Sequence, residues 1–358
     1  MIHVAIVAGG AGTRFWPKSR AALPKQFLRF GGGAPLLVET LARTRHVAPP
    51  QRTWIVTAAA HVARARELAP EVPADQIVGE PAARDTAPAI GLATLLVAAH
   101  DPDAVLLVCP ADHRIAPAER FAAAARAAEE LVARHPERIV LFGLRPTEPA
   151  TGYGYVEQGA SLGQFGQLPA FDVDAFHEKP PADKAREYVA SGRFLWNAGL
   201  FAFRAQALLD ELARQMPKLR AGLDELAPSI GTPRFAAELA RLFPTFERRS
   251  IDHGVMEHAR ARAVVVPDFA WDDVGSFLAL ARGTKPDEQG NVVVGAALAV
   301  DARGNVVDAG DGLVALIGVE DLVVVHTGDV MFVCRRDRSE DVKKLIELAR
   351  ARGFDRHL

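Results

Sequence analysis

Short apolar runs alternate with longer amphipathic segments along the first part of the chain. The runs suited to buried strands lie at residues 3–8, 53–57, 104–108 and 139–142. The segments with helical spacing lie at residues 36–44, 61–68, 87–99 and 121–134. This alternation predicts an α/β fold with a Rossmann-like, mostly parallel sheet and helices on both of its faces.

The pattern changes in the middle of the chain. Residues 152–179 combine strand-like runs with glycine-rich loops, and helical spacing returns at 205–225 and 234–242. No stretch of about 18 consecutive apolar residues interrupts these segments, so a membrane-spanning helix is not expected.

A turn-rich segment at 283–290 predicts a domain boundary, with one domain over 1–285 and another over 286–358. The second domain begins with β-branched runs separated by Gly, Asp and Asn, which predicts a small β-helix-like module. A terminal helix is expected to begin after a Ser339 cap and to end at Gly353.

Composition narrows the class of protein. The chain has 358 residues, 49% of them hydrophobic, and a formal charge of -2, which does not favour a nucleic-acid-binding protein. Its two cysteines, Cys109 and Cys334, lie in strand-like runs, so no disulfide framework is expected. Since the first residues also lack a basic segment and cleavage site, the sequence predicts a cytoplasmic protein.

The most informative motif is GGAGTRFWPKSRAALPKQF, residues 9–27, which follows the first predicted strand. Its glycines let backbone N–H groups approach an anion, and loops that leave parallel strands bind ligands in open α/β sheets. Arg14 and Lys25 add fixed positive charge for phosphate oxygens. The motif therefore predicts a polyphosphate-binding loop.

Two familiar phosphate-binding loops do not fit this spacing. A Walker loop places its lysine directly after the second glycine, whereas Lys25 comes much later. A dinucleotide fingerprint opens a helix after its glycines, and Pro17 and Pro24 make a continuous helix there unfavourable.

The motif resembles the signature of the sugar-1-phosphate nucleotidyltransferases, G-G-x-G-x-R followed by a Pro-Lys pair. The W-P-x-S-R and P-K-Q-F details resemble the branch of this family that transfers GMP to mannose 1-phosphate. The resemblance continues along nearly the whole chain, in EPAARDTAPAI, PADHRI, TGYGYVE, FHEKP, WNAGLF, SIDHGVME and WDDVGSF.

The resemblance implies a catalytic centre made of Arg14, Lys25, Asp112 and Asp273. Arg14 and Lys25 would contact the β- and γ-phosphates and the departing pyrophosphate. Asp112 and Asp273 would hold Mg²⁺, or alternatively Mn²⁺, since two carboxylates leave coordination positions for water and phosphate oxygens. Asp272 is expected to point away from this centre.

The remaining site residues are also implied by the resemblance. The nucleotide would contact Gly9, Gly10, Gly12, Thr13, Glu80, Asp85 and Thr86. Guanine presents N1–H and N2–H₂ donors, so carboxylate acceptors at Glu80 and Asp85 suit it, although Asp85 and Thr86 also suit a cap of the helix at 87–99. The sugar phosphate would contact Tyr153, Gly154, Glu178, Lys179, Asn197, Gly199 and Asp252.

The implied reaction uses GTP and mannose 1-phosphate and yields GDP-mannose and pyrophosphate. A homodimer through the C-terminal module is implied as well, without nucleic acid or membrane partners, and no additional isomerase domain is expected after that module. Two alternatives stay open, namely another pair of hexose 1-phosphate and nucleotide, or a non-catalytic nucleotide-sugar sensor. A retaining glycosyltransferase would need a D-x-D pair where ADHR stands.

Overall fold

The computed structural model describes residues 1–10, 12–30 and 33–358, without the side chains of residues 280, 281 and 283. The described chain divides into two compact units. The first consists of Met1–Gly9, Thr40–Ala111 and Ile115–Trp271. The second consists of Gly10–Glu39, Asp112–Arg114 and Asp272–Leu358.

Strands and helices alternate over the first part of the chain, and strands dominate the last part. The strands are β1 (Ile2–Ala8), β2 (Thr53–Ala58), β3 (Ile77–Glu80), β4 (Val105–Pro110), β5 (Arg114–Ala116), β6 (Ile139–Leu144), β7 (Tyr155–Phe165), β8 (Leu168–His177), β9 (Phe194–Arg204), β10 (Arg262–Val265), β11 (Ala270–Asp272), β12 (Val292–Val300), β13 (Val306–Ile317), β14 (Leu322–Thr327) and β15 (Val330–Arg335). The helices are α1 (Leu36–Thr44), α2 (Val62–Leu68), α3 (Thr86–His100), α4 (Ala118–Arg134), α5 (Ala182–Ser191), α6 (Ala205–Gln215), α7 (Pro217–Leu226), α8 (Phe235–Leu242), α9 (Leu278–Gly283) and α10 (Val342–Ala351).

A nine-stranded sheet in the order β3-β2-β1-β4-β9-β6-β10-β8-β7 organises the first unit. Strands β1 to β4 pair in parallel, as do β6 and β10, whereas β9 runs antiparallel to β4 and β6. The predicted α/β class is thus confirmed, with the parallel strands concentrated in the N-terminal half. Helix α3 is buried from Ala87 to Val97, as expected of a helix that is apolar on all sides.

The helical region predicted at 205–225 is two helices in the structure. Pro217 occupies the first position of α7, where its missing N–H costs nothing, but it cannot continue α6. No helix in the described part of the chain is both long enough and apolar enough to cross a membrane.

The second unit contains a four-stranded sheet in the order β12-β13-β14-β15. The first three strands are parallel and stack successive turns of the chain, as predicted for a β-helix-like module. Asn291 and Asn305 connect two of these turns, since Asn305 Nδ2 donates to Asn291 Oδ1 at 2.9 Å and Asn291 Nδ2 donates to the Ala302 carbonyl at 2.8 Å. Strand β15 returns antiparallel to β14.

Residues 12–27 of the glycine-rich motif belong to the second unit. Its prolines separate two short 3₁₀ turns, Thr13–Phe15 and Lys25–Phe27, in place of a helix. The core combines residues of this motif region with residues from the C-terminal module, namely Phe15, Leu28, Phe30, Leu36, Val274, Phe277, Ala279, Val306, Val323, Val325, Phe332 and Val342.

The predicted cap of the last helix is wrong. A 3₁₀ turn, Arg336–Asp341, precedes α10, so Ser339 is buried inside this turn and Asp341 occupies the cap position. The predicted end of the helix is confirmed, because Gly353 follows it with a left-handed φ of 74°.

Candidate functional site

Gly12 allows the two ends of the glycine-rich motif to meet in the second unit. It has a φ of 57°, and a Cβ at this position would lie 2.5 Å from Cβ of Lys25 and 2.8 Å from its backbone nitrogen. Any larger residue would therefore push the Lys25 backbone away. Gly10 also has a positive φ, 97°, which only glycine adopts readily.

Lys25 connects the two acidic motifs that follow strands β4 and β11. Its Nζ donates to Asp112 Oδ2 at 2.7 Å and to the backbone carbonyl of Asp273 at 2.6 Å. The Lys25 side chain is only 10% exposed and that of Asp112 is 30% exposed, so this ion pair is partly shielded from water. These residues, far apart in sequence, thus come together in the second unit.

The charge around Asp112 keeps it ionised. Burial acts to raise the pKa of Asp112, but the positive charge of Lys25, followed by that of His113, outweighs it, so the pKa lies below its usual value. The imidazole of His113 lies 3.8 Å from Asp112 Oδ1, which agrees with a role in orienting the loop.

A cavity of about 290 Å³ opens over these side chains. Its walls are Gly12, Thr13, Arg14, Phe15, Lys25, Asp112, His113, Asp273, Val274, Gly275 and Lys343, all within the second unit. The structure thus brings together the four residues expected at the catalytic centre. Asp272 instead accepts from the Val274 N–H and pairs with Arg282, as expected of a carboxylate that points away.

The donor set of this cavity fits a Mg²⁺ ion that keeps water or phosphate oxygens in its coordination shell. Asp112 and Asp273 supply carboxylate oxygens, the ligand type that this ion prefers. Within the described residues, no group of three or more His, Cys, Asp or Glu side chains is arranged to hold a metal ion by itself. A metal here would therefore depend on ligands from water or substrate.

Glu80 lies at the end of β3 in the first unit, beside Gly9 at the end of β1. Its Oε1 is buried and makes no hydrogen bond to the described residues, and a Cβ on Gly9 would lie 3.5 Å from its Oε2. Burial raises the pKa of Glu80 to about 7. Among the residues that the structure describes, Glu80 Oε1 is thus an acceptor without a donor.

Asp85 and Thr86 are engaged in the fold. Asp85 has a positive φ of 67° and accepts from the Thr86 N–H at 2.8 Å, so it caps α3. Thr86 Oγ1 accepts from the Ile251 N–H at 2.8 Å. Of the two uses weighed for these side chains, nucleotide contact and helix capping, the structure displays capping by Asp85, while Thr86 binds the backbone of Ile251.

A polar cluster forms around Asn197 in the first unit. Its Nδ2 donates to Asp252 Oδ1 at 3.1 Å, and its Oδ1 accepts from the Gly199 N–H at 3.2 Å. Its backbone N–H donates to the Gly154 carbonyl at 2.8 Å. Gly154 also lies against Glu178, since a Cβ on it would be 2.7 Å from Glu178 Oε2.

Charge and aromatic rings complete this cluster. Glu178 pairs with Lys179, whose backbone has a positive φ of 47°. Burial, followed by the negative charge of Glu178, raises the pKa of Asp252 to about 7. The ring of Tyr153 meets Trp196 and Trp271 edge to face, at centroid distances of 5.1 and 5.0 Å. All seven residues expected on the sugar side lie in the first unit.

Three cations of the second unit were not assigned from the sequence. Lys18 pairs with the buried Asp308, and Arg20 pairs with Asp329 at 2.7 Å, so both hold the motif onto the C-terminal module. Lys343, at the start of α10, lines the cavity. In the sequence, Lys343 and Lys344 are adjacent on an amphipathic helix, and this pattern does not indicate which of the two faces a cavity.

An α/β fold with a glycine loop, a lysine and two carboxylates in one cavity is typical of proteins that act on nucleoside phosphates. Two family models match the chain: nucleotidyl transferase over residues 4–290, and the mannoseP isomerase/GMP-like β-helix domain over 295–348. The chain belongs to the nucleotidyl transferase family. Members of this family generally use a divalent metal ion.

Named relatives cover nearly the whole chain. The mannose-1-phosphate guanylyltransferase of Klebsiella pneumoniae is 38% identical over 352 residues, which is 97% of this chain and 74% of the relative. A crystal structure described as mannose-1-phosphate geranyltransferase from Thermus thermophilus has a TM-score of 0.86 and 35% identity, and covers 98% of this chain and 99% of its own. A structure described as mannose-6-phosphate isomerase from Helicobacter pylori has a TM-score of 0.59 and 26% identity, and covers 76% of this chain and 100% of its own.

Proposed function

We propose that this chain transfers GMP from GTP to α-D-mannose 1-phosphate and forms GDP-mannose and pyrophosphate. The observation that carries the proposal is the convergence of Lys25, Asp112 and Asp273 in one cavity beside Gly12. The choice of substrates is supported by the Klebsiella relative, whose name states this activity and whose match covers 97% of the chain.

The reaction needs no covalent intermediate with the enzyme. A phosphate oxygen of mannose 1-phosphate attacks the α-phosphorus of GTP, and the bond from this phosphorus to the bridging oxygen breaks. The bonding electrons leave with pyrophosphate. Because the attacking oxygen is already ionised, no general base is required, and the rate depends on positioning and on neutralising the phosphate charges.

The cavity of the second unit suits the triphosphate. Arg14 and Lys25 would neutralise the β- and γ-phosphates, and Asp112 and Asp273 would hold Mg²⁺ or, alternatively, Mn²⁺. The bound ion would supply Lewis-acid stabilisation of the phosphate charge. Backbone N–H groups of the loop would complete the phosphate site, from Gly10, Gly12 and Thr13.

Glu80 is our candidate for recognition of the base. Guanine presents two adjacent donors, N1–H and N2–H₂, and the buried, unbonded Oε1 of Glu80 is an acceptor that suits one of them. Gly9 lies beside this carboxylate, since a Cβ on it would be 3.5 Å from Glu80 Oε2. Asp85 and Thr86 would shape the same loop, since their side chains already bond within the protein.

The polar cluster of the first unit would bind the hexose. Glu178, Asn197 and Asp252 offer acceptors and donors for sugar hydroxyls, and Lys179 offers a charge for the phosphate. Tyr153 would pack an aromatic face on the ring, while the backbones of Gly154 and Gly199 permit close approach. The hydrogen bonds that fix Asn197 support a preformed site.

A second copy of this chain is the proposed macromolecular partner. Strands β12 and β13 place Leu298, Val300, Leu313 and Ile317 on the surface, where they are 56–76% exposed. Val300 and Ile317 are direct partners in the register, so these side chains form a continuous apolar row. An exposed row of this kind is favourable to bury in a homodimer.

The cytoplasm is the proposed compartment. Both cysteines are free, and Cys109 is buried, which agrees with a reducing environment. GTP would be available to the enzyme there.

A substrate panel tests the proposal. The purified chain with Mg²⁺ is offered GTP, ATP, UTP or dTTP together with mannose 1-phosphate or glucose 1-phosphate, and pyrophosphate release is followed. The proposal expects GTP with mannose 1-phosphate to react fastest. A faster reaction with another pair would establish the alternative substrates, and nucleotide binding without pyrophosphate release would establish a sensor. Interconversion of mannose 6-phosphate and fructose 6-phosphate would support the activity named for the Helicobacter neighbour.

Adjacent carboxylates provide a matched test of the metal site. We predict that Asp273→Asn lowers kcat by about a hundredfold or more and raises the Mg²⁺ concentration needed for activity, because it removes one charged ligand. Asp272→Asn should retain nearly full activity, since Asp272 pairs with Arg282 outside the cavity wall. Thermal unfolding of both variants checks the fold, and equal activities would contradict the assignment.

A further inference from the structure

We propose that Lys343 of the terminal helix binds the phosphate oxygens of the nucleotide and of the departing pyrophosphate. This inference rests on the proposed function and extends it to a residue outside the glycine-rich motif. Lys343 is the second residue of α10 and lines the same cavity as Arg14, Lys25, Asp112 and Asp273.

The charge balance of the cavity leaves Lys343 available for an anion. Lys25 is already paired with Asp112. Within the described residues, neither Arg14 nor Lys343 has an ion pair or a side-chain hydrogen bond. The cavity wall carries three positive side chains, Arg14, Lys25 and Lys343. It carries two carboxylates, Asp112 and Asp273, so the cavity has an excess of one positive charge before any metal ion binds. A polyphosphate is the ligand that such an excess favours.

Packing fixes the position of this lysine. Val342, the residue before it, is 1% exposed and belongs to the same apolar core as Phe15, the residue after Arg14. The start of α10 is therefore held against the Thr13–Phe15 turn. As a result, the backbones that carry Arg14 and Lys343 are fixed by the same core.

Polar contacts hold the segment after α10 onto the glycine-rich motif. The backbone carbonyl of His357 accepts from Trp16 Nε1 at 2.7 Å and from Arg20 Nη1 at 2.6 Å. Arg20 also pairs with Asp329, which in turn lies 2.8 Å from Nδ1 of His357. The helix that carries Lys343 is thus held to the motif near both of its ends.

The neighbouring lysine provides a matched control. Lys344 lies in the same helix but pairs with Asp341 at 2.7 Å and is not part of the cavity wall. Lys343→Met and Lys344→Met remove the same charge from adjacent positions, and Lys343→Arg keeps the charge. Any general effect of net charge or helix propensity would therefore appear in both methionine variants.

Binding of inorganic pyrophosphate with Mg²⁺, measured by calorimetry, is the decisive experiment. We expect Lys343→Met to weaken binding on the order of tenfold, as for the loss of one charge-assisted contact. Lys344→Met should bind as the unchanged chain does, and Lys343→Arg should recover most of the affinity. In the transfer reaction, KM for GTP should rise in Lys343→Met while KM for mannose 1-phosphate stays unchanged.

The proposal would be overturned if Lys343→Met and the unchanged chain bound pyrophosphate with equal affinity. Thermal unfolding checks that both proteins are folded in this comparison. An equal loss in Lys344→Met would also overturn it, because the effect would then be one of general charge. The pyrophosphate measurement does not depend on which sugar phosphate or base is used. A chain that binds pyrophosphate through Lys343 but fails in the substrate panel would contradict only the proposed function.

Discussion

Glu80 combines a buried position with an acceptor, Oε1, that has no donor in the described part of the chain, which is unfavourable for a charged carboxylate. Burial raises its pKa to about 7, so burial favours the protonated form of Glu80 in the free protein. Bound guanine would supply the missing donors and favour the ionised form. Base recognition by this residue would therefore be coupled to the loss of a proton.

This coupling predicts that GTP binds more weakly below pH 7. Since the ionised carboxylate is the acceptor, the affinity should fall by up to about tenfold for each unit that the pH drops below the pKa. Glu80→Gln cannot ionise, so it should bind GTP more weakly and without this pH dependence. Calorimetry between about pH 6 and about pH 8 measures both proteins.

The quantity to compare is the dissociation constant of GTP for Glu80→Gln divided by that for the unchanged chain, because titration of the triphosphate itself affects both proteins equally. The ratio should increase with pH and level off above pH 7. A ratio that stays constant with pH would contradict the role of Glu80 as an ionised acceptor.

Helix α3 begins in a segment that joins two parts of the proposed site. It begins at Thr86, and the loop before it is joined to the segment before Asp252 by backbone hydrogen bonds between Arg84, Ala87 and Arg249. Thr86 Oγ1 adds a hydrogen bond from the N–H of Ile251. The loop proposed to recognise the base thus helps to position Asp252 in the polar cluster.

We predict that Thr86→Val raises KM for mannose 1-phosphate severalfold and lowers the free energy of unfolding by about 1–3 kcal/mol. The reason is that Ile251, only 1% exposed, would keep an N–H group without an acceptor. Thr86→Ser keeps the hydroxyl and serves as the control. Steady-state kinetics and urea unfolding measure the two effects, and identical results for both variants would exclude this coupling.

Local sequence patterns determined several elements well. Helix α1 was expected at 36–44 and is observed over Leu36–Thr44, because its apolar spacing alone defines it. Long-range contacts decided what the patterns missed. The 3₁₀ turn that buries Ser339 depends on tertiary packing, and the antiparallel insertion of β9 between β4 and β6 depends on the whole sheet.

Local sequence patterns also predicted only part of the candidate site, because some of its contacts are long-range. Ordered motifs were enough to select Lys25, Asp112 and Asp273, which the structure brings together. The partners of Lys18 and Arg20 lie about 300 residues away in sequence, so no local pattern could identify them.

At the scale of the whole molecule, the boundary at 285/286 is our proposal for the domain division. It is supported by the two family models, which match residues 4–290 and 295–348. The compact units divide the chain differently, because the core of the second unit includes Phe15 and Phe30 as well as residues of the C-terminal module. Sequence families and packing thus describe different divisions of this chain.

The proposed homodimer predicts that Ile317→Glu produces monomers. Ile317 is 76% exposed, and a charge within an apolar row that is buried in a dimer would be costly. Ala123→Glu, on the exposed side of α4, is the control for an added surface charge. Sedimentation velocity should show dimers for the unchanged chain and the control, and monomers for Ile317→Glu. Monomers in all three samples would contradict the homodimer.

The composition of the second unit also constrains the order of events on the ribosome. Phe15 and Phe30 emerge early, yet their packing partners Val306, Phe332 and Val342 are synthesised some 300 residues later. A nascent chain must therefore keep these two aromatic rings away from other proteins until those packing partners have been synthesised. Chaperone binding to the early segment, followed by release once α10 has been made, would be the expected course of biogenesis for this molecule.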